Sequence, residues 1–182
     1  MNANQLKHPL SIQTKKWCLS WLFSSVFMIS SSINLSYAQD SAKKVWQETP
    51  LNLPAAPTNA KLLSFYQNTN QEFFIDLASL SLADDDTLRY TLVANSGSGA
   101  KTISYEAIRC QTGERKFFAF GRANGSWSLA QQANWEKIPS YGVNQHHHIL
   151  QNDYFCIGNG VAGTLSDIQS RFIKKQPLSK FK

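Results

Sequence analysis

Three cysteines are all that the 182 residues contain, and only Cys110 and Cys156 lie beyond position 38. A closed zinc site takes about four ligands, and no third or fourth cysteine accompanies this pair across its 45 intervening residues. The chain has no Gly-x-Ser-x-Gly elbow, no glycine-rich phosphate loop and no His-Glu-x-x-His pair, which removes the familiar sequence marks of serine hydrolases, nucleotide-binding proteins and zinc proteases. It has no internal repeat. It also lacks the run of about 20 apolar residues that a spanning helix needs. Acidic residues are missing from the first 39 positions and from the last twelve. These absences leave a chain with no catalytic or metal-binding signature in its sequence.

The two ends of the chain explain where its charge lies. Lys7, Lys15 and Lys16 precede an apolar stretch from Trp17 to Ile29, which serines then dilute before Ser36-Tyr37-Ala38. A positive head, an apolar middle and a small-x-small exit make a secretory leader over residues 1–38, cleaved between Ala38 and Gln39. The alternative is an uncleaved leader that tethers the chain to the membrane. A lipid anchor is not expected, because the leader's Cys18 follows Lys16-Trp17 where a lipid site wants small and aliphatic residues. Export leaves no transmembrane segment after cleavage and predicts a periplasmic protein.

Removing the leader from the 182 residues leaves 144, a size suited to one domain. Residues 39–170 hold 10 basic and 12 acidic side chains, whereas the last twelve residues hold five basic ones: Arg171, Lys174, Lys175, Lys180 and Lys182. Such a tail could meet envelope proteins or an anionic envelope surface. The plainer reading is a helix end whose cations complement the macrodipole. Nucleic acid is not an expected partner, since no basic–aromatic stripe is legible in the body. In an oxidising compartment Cys110 and Cys156 pair with each other; a reactive thiol or a metal pair are the competing uses.

Residues 39–60 read as an extended arm, because Pro50, Pro54 and Pro57 exclude a helix there. Trp46, Leu51 and Leu53 are its candidate anchors. A disulfide-closed domain follows over 61–175, and 176–182 form the basic tail. Strand periodicity begins at Leu62, with short strands over Leu62–Tyr66 and Glu72–Asp76. Leu77–Leu82 reads as a tight helical turn with Asp76 and Ser79 bonded to its free backbone donors. Further strands span Thr87–Val93, Lys101–Gln111, Arg115–Arg122 and Ser126–Leu129, and Asn124-Gly125 marks a tight hairpin. Asn144 is placed to cap a helix running to Asn152. Thr164 and Asp167 suit a capping box for a second helix, which Pro177 stops. The predicted fold is α+β: an antiparallel β-meander of about five strands, two C-terminal helices and one disulfide.

Several segments taken in order carry a family resemblance: Phe73-Phe74-Ile75-Asp76-Leu77-Ala78-Ser79-Leu80, Leu88-Arg89-Tyr90-Thr91-Leu92-Val93, and Ile103 through Cys110. Glu114-Arg115-Lys116, Phe118 through Arg122, Trp127, Trp135 and Asp153-Tyr154-Phe155-Cys156 complete the series. This order resembles the cryptic neisserial protein-like family, a group of exported proteobacterial proteins. A weaker likeness, in the Ile-Asp-x-x-Ser and strand-Cys pattern, is to the surface-adhesin protein E group. The first resemblance spans about Trp46 to Cys156, agrees with one disulfide in the envelope, and implies no reaction.

Four groups remain as candidates for chemistry. His146, His147 and His148 are successive, about 100° apart on a helix, and cannot close on one ion; surface imidazoles with one on the apolar face are expected. Asp84-Asp85-Asp86 lacks the alternating ligands, central glycine and distal glutamate of a calcium loop, and reads as a solvated turn. Glu106 and Arg109 fall on opposite faces of their strand. Phe117, Phe118, Phe120, Trp127 and Trp135 read as core before groove. No catalytic residue, metal or cofactor is assigned. The leading function is a non-enzymatic binding or interaction module of the cell envelope; the alternative is an envelope-directed hydrolase working through His and Asp.

The leader yields a direct test. Mass spectrometry of chain expressed from the whole sequence is expected to show a mature N-terminus at Gln39; retention of residues 1–38 would show a tethered form instead.

Overall fold

The computed structural model describes residues 47–57, 61–142 and 144–181. The leader, its Ala38–Gln39 junction, Trp46 and Lys182 lie outside them. Among the described residues a seven-stranded sheet is built from β1 (Leu62–Gln67), β2 (Gln71–Leu82), β3 (Thr87–Ser96), β4 (Lys101–Arg109), β5 (Glu114–Gly121), β6 (Trp127–Leu129) and β7 (Glu136–Lys137). The order β1-β2-β3-β4-β5-β6 is a meander with every pair antiparallel, and β7 joins the other end of β5. Helix α1 (Gln145–Ile149) runs directly into a π-helical turn over Leu150–Phe155. The small hairpin β8 (Cys156–Ile157) and β9 (Gly160–Val161), helix α2 (Leu165–Lys174) and a 3-10 turn over Leu178–Phe181 follow.

Both faces of the sheet are covered, so Thr87 to Val93 are all buried although their chemistry alternates. On the front, Phe73, Ile75, Leu88, Tyr90, Leu92 and Ile108 pack with Leu150, Tyr154, Phe155, Ile168 and Phe172. The wide turn brings Leu150 and Phe155, five residues apart, inward together. On the back, Tyr105, Ala107, Phe118 and Ala119 pack with Trp127 and Trp135. The proline-spaced arm runs over this back face.

The arm is anchored differently from the sequence expectation. Leu51 and Leu53 are each 38 % exposed, so they hold little. The hold is polar instead: Arg89 donates to the carbonyls of Thr49 (2.7 Å) and Pro50 (3.0 Å), and Trp127 Nε1 donates to that of Pro54 (2.8 Å). Asp85 accepts the Thr49 N–H at 3.0 Å, and Glu48 pairs with Lys116 at 2.7 Å. The Asp84–Asp86 turn is therefore not simply solvated, because Asp85 is buried and paired with Arg89 at 3.3 Å. Burial raises the Asp85 carboxyl, and the Thr87 and Thr49 bonds with the Arg89 charge outweigh it, holding it below its ordinary value.

Two further expectations need correcting. Leu77–Leu82 is no helical turn but the second half of β2, where the register slips so that Asp76 faces Thr91 and Ser81 faces Arg89. Four residues of β2 stand against Tyr90 alone, a bulge larger than the common one-residue kind. Asp76 does bond a local donor, its Oδ1 accepting the Ala78 N–H, but Ser79 serves the neighbouring strand: its Oγ donates to the Asp76 carbonyl while accepting the Thr91 N–H of β3. Those bonds shape a bulge because pairing with β1 and β3 up to Asp76, and with β3 again at Ser81 and Leu82, keeps the segment in the sheet. The second correction is at α1, where the Asn144 side chain makes no capping bond; its carbonyl accepts the His147 N–H instead. At α2 the Thr164/Asp167 capping box forms as expected, and Lys175 ends the helix in the left-handed region, two residues before Pro177.

Cys110 and Cys156 form the disulfide, with Cα atoms 5.6 Å apart and both residues buried. It joins the end of β4 to the exit of the π turn, locking the front layer to the sheet. Replacing both cysteines with serine opens a loop whose closure entropy is worth about 4 kcal/mol; urea unfolding is expected to show a loss of that order. A midpoint within error of the parent would contradict the disulfide's role.

Candidate functional site

Cross-strand register puts side chains of like phase in rows across the front face. Tyr90, Glu106 and Phe117 form one row, and Ile75, Leu92, Ser104 and Phe120 the next. Phe73, Ala94 and Thr102 form a third. In β5 the register skips a residue between Phe117 and Ala119, and this bulge lets Phe117 and Phe120 stand on the same face although three positions separate them. Their rings stack with centroids 5.6 Å apart. Helix α1 crosses these rows and presents His146 and His147. Between helix and sheet is a cleft of about 340 Å³ lined by Phe73, Leu92, Ser104, Glu106, Phe117, Phe120, His146 and His147, among others.

Glu106 is the floor of this cleft and only 1 % exposed. A carboxylate at that depth requires donors on its oxygens. It has three: Tyr90 OH at 3.0 Å and His147 Nε2 at 2.7 Å on Oε2, and Ser104 Oγ on Oε1. A carboxylate only accepts, so His147 carries its proton on Nε2. Burial pushes the Glu106 carboxyl up, but the His147 charge, the bonds from His147 and Ser104 and the His146 charge prevail and hold it below its ordinary 4.5. Burial pushes the Tyr90 phenol well above its ordinary range, and the Glu106 charge adds to this. Tyr90 is a fixed donor.

Aromatic rings continue from the carboxylate along both walls. Tyr66 stacks on Phe73 (5.7 Å), and Phe73 on His146 (4.1 Å, planes 13° apart). His146 contacts His147 at 4.1 Å, and His147 meets the edge of Phe117 at 5.8 Å. The cleft is thus an aromatic slot over a hydrogen-bonded carboxylate–imidazole pair. Its hydrogen-bond order differs from a nucleophilic relay, in which histidine stands between hydroxyl and carboxylate. Here the carboxylate stands in the middle and Ser104 donates to it. Among the described residues no group of three His, Cys, Asp or Glu side chains is arranged to hold a metal ion.

The expectation of surface imidazoles with one on the apolar face is overturned for one of the three histidines, since two are buried and not one. His146 is 8 % and His147 1 % exposed; only His148 is partly exposed, bonded to Asn152 at 3.1 Å. The physical reason is the inward acid, which needs a cationic or donor partner, and α1 delivers one. The aromatic set divides: Phe118, Trp127 and Trp135 belong to the back core, while Phe117 and Phe120 line the cleft. Arg109, across the strand from Glu106, lies 3.9 Å over Trp135 on the back and pairs with Glu114 at 3.7 Å. Lys116 and Arg89 flank Phe118 at 5.3 and 5.1 Å. The body therefore does contain a cation–aromatic stack, gathered by the sheet from scattered positions and covered by the arm.

Arg171 does not act as a loose tail cation, because it donates to the carbonyls of Tyr154 (2.9 Å) and Ala162. Lys174 and Lys175 are exposed, Lys180 donates to the Lys175 carbonyl, and Lys182 lies outside the described residues. No described helix is long and apolar enough to cross a membrane. Sequence reasoning missed Glu106, Ser104 and Tyr90 as a group. The signal was present: Glu106 shares its phase with Ser104 and Ile108, so the alternation of β4 drives an acid into the core.

The CNP1-like family model matches residues 41–172. The match extends past Cys156 to Phe172, taking in most of α2 with Arg171 and leaving residues 1–40 and 173–182 outside. No curated protein and no solved structure matches the chain, and nothing supports the likeness to surface-adhesin protein E.

His147→Ala leaves the Glu106 charge buried without its partner and is expected to cost about 3–5 kcal/mol, read by urea unfolding. The acid dependence has a defined sign. With its folded pKa below the unfolded value, Glu106 contributes its full stability above about 4.5 and loses it as pH falls through the folded value. In Glu106→Gln the stability lost between neutral pH and about pH 3 is expected to shrink. Asp85 and Asp167, whose carboxyls are also held low, supply the remainder. An unchanged acid limb would contradict the pairing.

Proposed function

The chain belongs to the CNP1-like family, and from that membership and the aromatic cleft over Glu106 we propose a periplasmic cell-envelope protein that binds a ligand or partner and does not turn it over. The observation that carries this reading is the position of the carboxylate at the centre of its own hydrogen-bond set. All three donors are committed to it, so neither the Ser104 nor the Tyr90 hydroxyl is placed for His147 to activate. An envelope-directed hydrolase would need the opposite order, with His147 facing a nucleophile. What remains free to act is the apolar wall. Phe120 is 41 % exposed at the cleft, and its stack with Phe117 offers a flat face for another ring or an apolar group. At about 340 Å³ the cleft is near the lower end of ligand sites, sized for a small molecule or one bulky side chain.

Export to the periplasm rests on the leader and suits the disulfide, which persists in an oxidising compartment. The tether by an uncleaved leader is the alternative placement. Lys174, Lys175 and Lys180 give the C-terminal edge a cationic surface for anionic envelope material; Arg171, spent on backbone carbonyls, takes no part.

A photo-crosslinking amino acid at Phe120 tests the reading in living cells. The same substitution at Tyr141, 82 % exposed, serves as control. A discrete envelope adduct from position 120, absent from position 141 and lost with Phe117→Ala, is expected. Equal labelling at both positions would contradict a binding cleft.

A further inference from the structure

The back face is built to hold an extended, proline-spaced segment, and the chain supplies its own. We propose that this groove also takes the arm of a second copy, so that two copies pair by exchanging Glu48–Pro57. The recognition is addressed mainly to backbone. Asp85 reads the Thr49 N–H, its own N–H donates to Thr49 Oγ1 at 3.2 Å, and Arg89 and Trp127 read the carbonyls of Thr49, Pro50 and Pro54. Asp85 and Arg89 are buried, so the clamp is part of the body and not a surface accident. Its charge is matched as well, since Glu48 lies on Lys116 beside the stack of Arg89, Phe118 and Trp135.

The same contacts show why exchange is accessible. Among the described residues, the hydrogen-bond partners of the arm lie 36 to 73 positions along the chain, so none of these bonds depends on arm and groove being in one molecule. The apolar hold is slight: Leu51 and Leu53 are half-exposed, and hollows of about 320, 290 and 250 Å³ border the arm along its length. Release therefore costs mainly polar contacts, which the second copy restores in identical form. A short tether keeps the arm at an effective concentration on the order of millimolar. Exchange accordingly grows as the chain nears that concentration.

The geometry provides its own probe. A Cβ built on Gly125 stands 3.7 Å from Ala56 Cβ, close to the ~3.8 Å Cβ spacing of a disulfide. Gly125 has φ +80° at an exposed hairpin tip, so a cysteine there is strained, and the control must show that it is tolerated. With Cys18→Ser throughout, the double variant Ala56→Cys/Gly125→Cys is expected to close within one chain at low concentration. The two single variants, mixed, refolded together and oxidised, are expected to give a heterodimer whose linked peptide joins positions 56 and 125. The linked fraction should rise roughly in proportion to concentration below the millimolar range. A double variant that locks while the mixed singles never link at about 1 mM would overturn the proposal. Sedimentation of the unsubstituted chain over the same range reads it without new cysteines: a concentration-dependent dimer is expected, and a monomer throughout overturns it.

Discussion

A carboxylate cannot enter a protein core alone, and Glu106 is inside because three donors from three directions meet it there. Tyr90 reaches it from the neighbouring strand, Ser104 from its own strand and His147 from the helix above. Each bond constrains a different part of the structure. The Tyr90 bond fixes a row across β3 and β4, the Ser104 bond fixes a rotamer within β4, and the His147 bond sets where α1 sits on the sheet. The disulfide acts in the same sense a few residues away, fastening β4 to the end of the helical segment. The acid supplies the buried polar bond that seats α1 on the sheet, and Tyr66 OH adds an exposed one to Gln145 Oε1 at 3.2 Å.

From this constraint the two faces acquire different characters. The front is a hydrophobic core with one polar group near its edge, and the cleft is the space left where α1 stands off from the aromatic rows. The back is a layer of arginine and lysine over aromatic rings, closed by an arm with few large apolar groups of its own. Bulges in β2 and β5 make both arrangements possible. The first turns Ser79 to receive the Thr91 N–H, and the second brings Phe117 and Phe120 onto one face.

Much of the fold was legible in the residues, because alternation and turn chemistry are local. The strands from Thr87 to Gly121, the Asn124-Gly125 hairpin and the Thr164/Asp167 box all follow from short-range pattern, and the Cys110–Cys156 pair from there being two cysteines beyond residue 38. The misreadings occur where a distant partner changes the outcome. Asp76 and Ser79 carry helical-turn chemistry, yet β3, pairing on either side of the bulge at Asp76 and Ser81, keeps their segment in the sheet. His146 and His147 look like surface residues until Glu106, 41 positions before His147, is seen to point inward. The cation–aromatic stack is invisible in sequence because Arg89, Lys116, Phe118 and Trp135 become neighbours only when three strands are laid side by side.

The account stands or falls on the bond between His147 and Glu106, and proton NMR of the histidine ring reads it directly. A proton held on Nε2 by a buried carboxylate exchanges slowly and resonates far downfield; such a signal is predicted for His147 at neutral pH, with its loss in Glu106→Gln. A His147 ring proton that exchanges freely with water in the folded protein would contradict the account.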